Sequence, residues 1–394
     1  MIRNCFLCNG KTEVLFSSSW PLPGVGLADI GFSICHACGS VCQSPTIPFE
    51  KMLDYYNCLA VYTNPGRQFK PSIAKVRDVD EQVQFIRRGI GELPKSALQI
   101  GSSDGYTLHG FKTSGVERVL GIEPGVASVE IAKNLYGIEC INSSAEAFEI
   151  DEDFELIILT HVLEHLYDPQ MVLEKCRSLH GKNNRGYIYI EVPLLADHNS
   201  LPPGFFSFEH INYYTRENLT ESICMAGYSP VSFIEHYESN LSPIIGILAT
   251  TEQKSHVSIK REPYEIIKKN ILEYHKDETA YWKNCLKNIE NDLLGANRIF
   301  LWGAGIHTCQ LVANTHILEK FNIAGLTDTS ELKWGIQQGN WLCQSPDSID
   351  WSPDDVVIIS SYASEKEIYD ALQWLRDIGV KTLRLHNIDD PKAH

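Results

Sequence analysis

The sequence predicts an α/β protein built on a doubly wound parallel sheet, with a small cysteine-bearing unit before it and a second α/β unit after it. Three observations carry that prediction. The stretch Leu98-Gln-Ile-Gly-Ser-Ser-Asp-Gly-Tyr-Thr-Leu108 runs from strand character through small residues into helix character. Strand-type and helix-type patterns then alternate, which builds βαβ units. Two Cys-x-x-Cys pairs stand ahead of all this, and a further Gly-x-Gly turn follows a strand-like run near position 300.

In chain order, Cys5-Phe-Leu-Cys8 and Cys35-His-Ala-Cys38 are two knuckles, each closely followed by glycine and separated by a length that suits a β-hairpin. Cys5, Cys8, Cys35 and Cys38 form the expected ligand set of a structural Zn²⁺ ion in a ribbon spanning residues 1–48. A redox Cys-x-x-Cys is the rival reading, but it calls for one pair at a helix start after a strand. A helix is expected from Met52, and the spacing predicts a long amphipathic segment from Ile73 to Gly89, both lying as lid helices over the sheet. Strands are expected at Ala97–Ile100, Arg118–Ile122, Leu156–Leu159 and Tyr187–Val192, with helices at Val126–Leu135 and Met171–Leu179. Pro230–His236 and Pro243–Thr250 flank the turn-prone Glu238-Ser-Asn240 and predict an antiparallel hairpin closing the sheet. The central unit is placed at 49–255. A connecting helix pair is expected next, from Tyr264, Ile267, Ile271, Tyr274, Trp282, Cys285 and Ile289, and with the following Rossmann-like domain it fills 256–394.

Composition narrows the function. With 394 residues and 43% apolar content, the chain is long enough for two or three cores. A net charge of −16 speaks against a nucleic-acid groove or an anionic membrane surface and for a small-molecule substrate. The N-terminus lacks a long apolar run, so a cytoplasmic protein without a membrane span is expected. Homo-oligomer formation is left open.

The turn after Leu98-Gln-Ile100 presents backbone N–H groups to a ligand, and Glu123 stands about 20 residues on, where an acidic side chain grips a ribose diol. The turn is not Gly-x-Gly-x-x-Gly. Ser102, Ser103 and Asp104 fill positions where a pyrophosphate needs bare backbone, which disfavours a dinucleotide. A ligand with an ammonium, a carboxylate and a ribose but no phosphate suits it, and S-adenosylmethionine answers that description. The donor-binding set is Gly101, Ser102, Asp104, Gly105, Glu123, Pro124, Glu146 and His161, with Asp104 expected beside the ammonium group and Glu146 at the adenine amino group. The run Leu156-Ile-Ile-Leu-Thr-His-Val-Leu-Glu-His-Leu166 with Asp168-Pro169 resembles the fourth strand of class I S-adenosylmethionine-dependent methyltransferases.

A closer resemblance covers nearly the whole chain. The four cysteines, the tyrosine-bearing helical segment, the Ile-Gly-Ser-Ser-Asp-Gly loop, Glu191-Val-Pro193, Phe208-Glu-His-Ile-Asn-Tyr-Tyr-Thr215 and the Rossmann-like end resemble the sugar C-methyltransferases of nucleotide-linked deoxy-keto sugars. That resemblance implies a methyltransferase of carbohydrate biosynthesis with a nucleotide-sugar substrate. It makes Glu209 and His210 catalytic, His210 as the base that forms an enolate. Tyr213 or Tyr214 would donate to the enolate oxygen; Tyr214 is assigned to catalysis, Tyr213 and Tyr62 to the substrate. Ser207 stands where the family carries a tyrosine and is counted on the substrate side. The alternatives are O-methylation of a sugar or polysaccharide precursor, and a non-catalytic donor-binding scaffold.

Plainer readings stand beside these. His161 and His165 flank Glu164 on what spacing predicts to be one helical turn, where a histidine caps or packs as readily as it reacts. Tyr55, Tyr56 and Tyr62 read as core aromatics by helical spacing alone. Gly303-Ala-Gly305 with Asp328 could hold a nucleotide, but Thr308 occupies the third-glycine position, so a docking role is favoured over a catalytic NAD site.

Overall fold

The computed structural model describes residues 3–58, 71–181, 185–237, 242–252, 259–315, 317–362 and 364–387. The N-terminal unit is a hairpin of β1 (Thr12–Leu22) and β2 (Gly26–Cys35), extended by β3 (Val41–Gln43). Because Thr12 pairs with Cys35, the hairpin returns the second cysteine pair onto the first. Next come α1 (Phe49–Cys58) and α2 (Ile73–Ile90). The Ser72 side chain accepts the Lys75 N–H and caps α2.

The central sheet is laid down by β4 (Ser96–Ile100), α3 (Tyr106–Thr113), β5 (Arg118–Glu123), α4 (Val126–Tyr136), β6 (Cys140–Asn142), β7 (Leu156–Thr160), α5 (Pro169–Ser178) and β8 (Tyr187–Pro193). It is completed by α6 (Arg216–Met225), β10 (Ser229–His236) and β11 (Ile244–Thr250), after the short β9 (Asn212–Tyr213). The strand order is β10-β11-β8-β7-β4-β5-β6, and β11 runs antiparallel to both its neighbours. This is the doubly wound sheet of class I methyltransferases. Burial on both faces explains the nearly unbroken apolar strands. Along β7, Ile157 and Leu159 enter one core, while Leu156 and Ile158 enter the core on the opposite face.

β9 leaves this sheet and pairs with β3 of the ribbon. The Gln43 side-chain amide also donates to the backbone carbonyls of Ser207, Phe208 and His210. The ribbon therefore holds the 207–213 segment in place.

The expected helix pair is one helix of 30 residues, α7 (Tyr264–Leu293). No glycine or proline interrupts it, and its buried side chains serve two cores in turn. Ile267, Ile271 and Tyr274 pack into the ribbon core; Trp282, Cys285, Leu286 and Ile289 pack against the last sheet. That sheet comprises β12 (Arg298–Trp302), β13 (Ile323–Thr327), β14 (Gln337–Gln338), β15 (Trp341–Gln344), β16 (Asp355–Ile359) and β17 (Lys381–Arg384). Its order is β14-β15-β13-β12-β16-β17, parallel except for β14, and α8 (Ile306–Asn314) follows β12 in Rossmann-like fashion.

Candidate active site

The loop from β4 to α3 turns on three left-handed residues: Gly101 (φ 70), Ser103 (φ 49) and Gly105 (φ 78). Glycine is required twice over, since a Cβ on Gly101 would stand 2.3 Å from Val162 Cγ2 and one on Gly105 2.7 Å from Ala132 Cβ. Glu123, at the end of β5, accepts the Ser103 and Gly125 N–H groups, each at 2.8 Å. Burial raises its pKa although those two bonds oppose the shift. Asp104 has a structural use that the sequence does not reveal, accepting the Tyr106 N–H at 3.1 Å at the start of α3. Ser102 is buried beneath the loop. Glu146 faces the loop from the other side, its pKa raised by burial.

These groups line a cavity of about 870 Å³, roofed by α1 and α2. Gly101, Ser102, Asp104, Glu123, Pro124, Glu146 and His161 all border it. The segment after β7 is not the helical turn that spacing predicts. The His161 N–H bonds the Glu191 carbonyl at 2.9 Å, and His161 is left-handed (φ 55), so only a short 3₁₀ turn, Leu163–His165, remains. His161 Nδ1 lies 3.5 Å from Glu164 Oε1 and its Nε2 3.4 Å from Glu191 Oε1. Burial alone would drive the proton off, but the two carboxylates outweigh it and push the His161 pKa up to about 10. Glu191 also accepts from Tyr189 Oη at 2.6 Å and from the Gln82 amide of α2 at 3.1 Å.

His165 borders the cavity and connects it to a deeper layer. Its Nδ1 is 2.9 Å from both Tyr56 Oη and the Glu209 carbonyl oxygen. His210 packs behind it, with ring centroids 5.0 Å apart. Burial pushes the His210 pKa down to about 3, so the neutral ring holds a proton poorly. The Glu209 carboxylate accepts from Tyr55 Oη at 3.0 Å. Tyr213 Oη accepts from Ser207 N and donates to Ser207 O, and Tyr214 Oη donates to the Leu163 carbonyl at 3.5 Å. Thus the residues expected to hold the donor, apart from Gly105, line the cavity, whereas Ser207, Glu209, His210, Tyr213 and Tyr214 do not line it. Tyr62 lies outside the described residues. The sequence reading assigned no role to Glu164, Glu191 or Gln82. No spacing in the sequence pointed to Glu191, whose approach to His161 follows from strand register: it pairs with Thr160, one residue before His161.

The four cysteine sulfurs lie within 4.8 Å of one another, with Cys5–Cys38 at 3.4 Å and Cys8–Cys35 and Cys8–Cys38 at 3.5 Å. Tetrahedral Zn–S bonds of about 2.3 Å require sulfurs about 3.8 Å apart. The cluster is compatible with that ion, and a side chain at Gly10 would crowd Cys8 and Cys35 Sγ at 3.1 and 3.2 Å.

In the C-terminal turn, Asp328 is not presented to a ribose. It accepts the Ala304 N–H at 2.8 Å and pairs with Lys333 at 2.7 Å. Thr308, in the third-glycine position, is buried, donates to Gly303 O and lies 2.7 Å from Ser360 Oγ, which can donate to it.

Residues 75–232 match the family model described as a methyltransferase domain. Among solved structures, the chain is similar to the amino pentose methyltransferase CalS10 of Micromonospora echinaspora, at 14% identity over 48% of this chain and 99% of that one, TM-score 0.37. It is also similar to the N-methyltransferase NodS of Bradyrhizobium japonicum, at 12% identity over 52% of this chain and 98% of that one, TM-score 0.39. Comparison with curated proteins finds no match. Residues 75–232 are therefore a methyltransferase domain on a class I sheet, and the protein is an enzyme of that kind.

Proposed function

We propose that this enzyme transfers the methyl group of S-adenosylmethionine to a small-molecule acceptor in the cavity, and that the acceptor is a nucleotide-linked keto-deoxysugar methylated at carbon. One observation carries the reading: a single continuous cavity joins the Gly101–Gly105 loop, Glu123 and Glu146 to His161, His165 and Tyr56. Its volume of about 870 Å³ is near the upper end of small-molecule sites, leaving room for an acceptor beside the donor. Each Glu123 oxygen accepts one backbone hydrogen bond and keeps a lone pair for a ribose hydroxyl. Asp104 suits the ammonium and repels a phosphate.

The keto-sugar assignment rests on the resemblance carried by the Glu191-Val-Pro193 and Phe208–Thr215 segments. A ketone acidifies the adjacent C–H bond; the proton passes to the histidines of the inner wall, and the enolate carbon attacks the sulfonium methyl as S-adenosylhomocysteine leaves. His165 stands foremost, with His210 behind it as a positioning residue. We further propose a structural zinc in the Cys₄ cluster, units at 1–48, 49–255 and 256–394, and a cytoplasmic location. Among the described residues, no helix is long and apolar enough to cross a membrane.

Calorimetric titration with S-adenosylmethionine, S-adenosylhomocysteine and NAD tests the donor. Micromolar binding of the first two and none of NAD is expected; NAD binding alone would overturn the reading. Turnover of keto but not reduced nucleotide sugars is the expected acceptor result, and equal turnover of both would indicate O-methylation.

A further inference from the structure

We infer that Glu164, His165 and His210 form a divalent-cation site at the inner wall of the cavity, where the ion would hold an oxygen of the acceptor. The inference rests on the methyltransferase reading of the cavity, adds a cofactor to it, and moves the proton-accepting role from the histidines to water at the ion. One ligand atom from each of the three residues falls within 4.8 Å of the others.

Glu164 is the most telling member. It is 1% exposed, and among the described residues neither carboxylate oxygen has a hydrogen-bond partner. A buried carboxylate in that state is costly unless a cation compensates it. His161 Nδ1 lies 3.5 Å and His165 Nε2 3.8 Å from Glu164 Oε1. Even a protonated His161 is shared with Glu191, so two carboxylates face one positive charge.

The histidines are arranged to complete the set. The Glu209 carbonyl at 2.9 Å from His165 Nδ1 can only accept, so Nδ1 carries the hydrogen and Nε2 turns a lone pair toward Glu164. Fixing one ring nitrogen on a backbone carbonyl is the usual outer support of a metal-bound histidine. His210 adds a buried Nδ1 that has no hydrogen-bond partner among the described residues. Bonds of about 2.1 Å need ligand atoms about 3 to 4 Å apart, which small rotations of these side chains supply.

Two imidazoles and one carboxylate suit a first-row divalent ion and leave coordination positions open. Because His165 borders the cavity, those positions are accessible to the acceptor. A coordinated ketone or hydroxyl oxygen becomes a better place for negative charge, and the acceptor proton can then leave to water.

Mn²⁺ is the probe of choice, because the Cys₄ thiolates discriminate against it. Titration of the zinc-loaded full-length protein, followed by paramagnetic resonance, is expected to show one Mn²⁺ per chain with nitrogen couplings from imidazole. Glu164→Gln and, independently, His165→Asn should each weaken Mn²⁺ binding by at least about tenfold. S-adenosylhomocysteine affinity, measured on the same samples, reports the donor site separately. Absence of Mn²⁺ binding, or binding that neither variant alters, would overturn the cation site. Mn²⁺ binding without S-adenosylhomocysteine binding would leave the cation site standing and overturn the donor reading instead.

Discussion

Individual residues hold the β4–α3 loop in its shape, and Gly101 shows how. Its positive φ and the 2.3 Å approach of Val162 Cγ2 to a notional Cβ leave no room for a side chain. Gly101→Ala should lower stability by about 1–3 kcal/mol and weaken S-adenosylhomocysteine binding, as read by thermal melting and calorimetry. Adding Val162→Ala should recover part of the melting temperature but not the backbone strain. The loop and Glu123 were legible in the sequence because a strand, a small-residue turn and a later acidic residue are local signals. Glu164 and Glu191 were not. Glu164 stands three residues from His161, but its contact depends on the left-handed turn at His161, and Glu191 reaches His161 through the β7–β8 register, in which Thr160 faces Glu191; no spacing along the chain encodes that pairing.

At the scale of elements, α7 departs most from the sequence expectation. Its apolar spacing suggested two helices because the stripe changes partners midway, yet one continuous helix serves both cores. Glu278 lies at that change, buried and accepting the Gly204 N–H at 2.7 Å. Burial pushes its pKa up to about 7 from an ordinary value of 4.5. Between those values the folded state binds more protons than the unfolded one, so stability declines as pH rises from about 4.5 to 7. The loss approaches about 3 kcal/mol at most. Glu278→Gln, which keeps an acceptor for Gly204, should raise the melting temperature at pH 8 and flatten its decline between pH 5 and 8. An unchanged pH profile would show that Glu278 stays ionised throughout.

Across the whole molecule, the ribbon reaches beyond its own core. Through β3–β9 pairing and the three Gln43 bonds, it clamps the backbone of residues 207–213 behind the cavity. Cys35→Ser should therefore abolish zinc stoichiometry and lower the melting temperature. It should also reduce turnover more than S-adenosylhomocysteine affinity, because the donor loop lies on the other side of the cavity. Metal analysis, melting curves and paired binding and activity measurements check this. Full zinc content in the variant would remove the Cys₄ assignment.

The sequence by itself determined the alternating strands and helices, the cysteine knuckles, the donor loop and the second α/β sheet, because each is written in short-range periodicity or spacing. Only the tertiary structure decided which histidine meets the cavity. His210 stands in the Phe208–Thr215 segment that drew the sequence-based expectation, yet it packs behind His165, while strand register brings Glu191 to His161. Likewise, Asp328 became a partner of Lys333 rather than a ribose acceptor. The seating of His210 and the approach of Glu191 to His161 depend on contacts between residues distant in sequence, which the order of side chains along the chain leaves open.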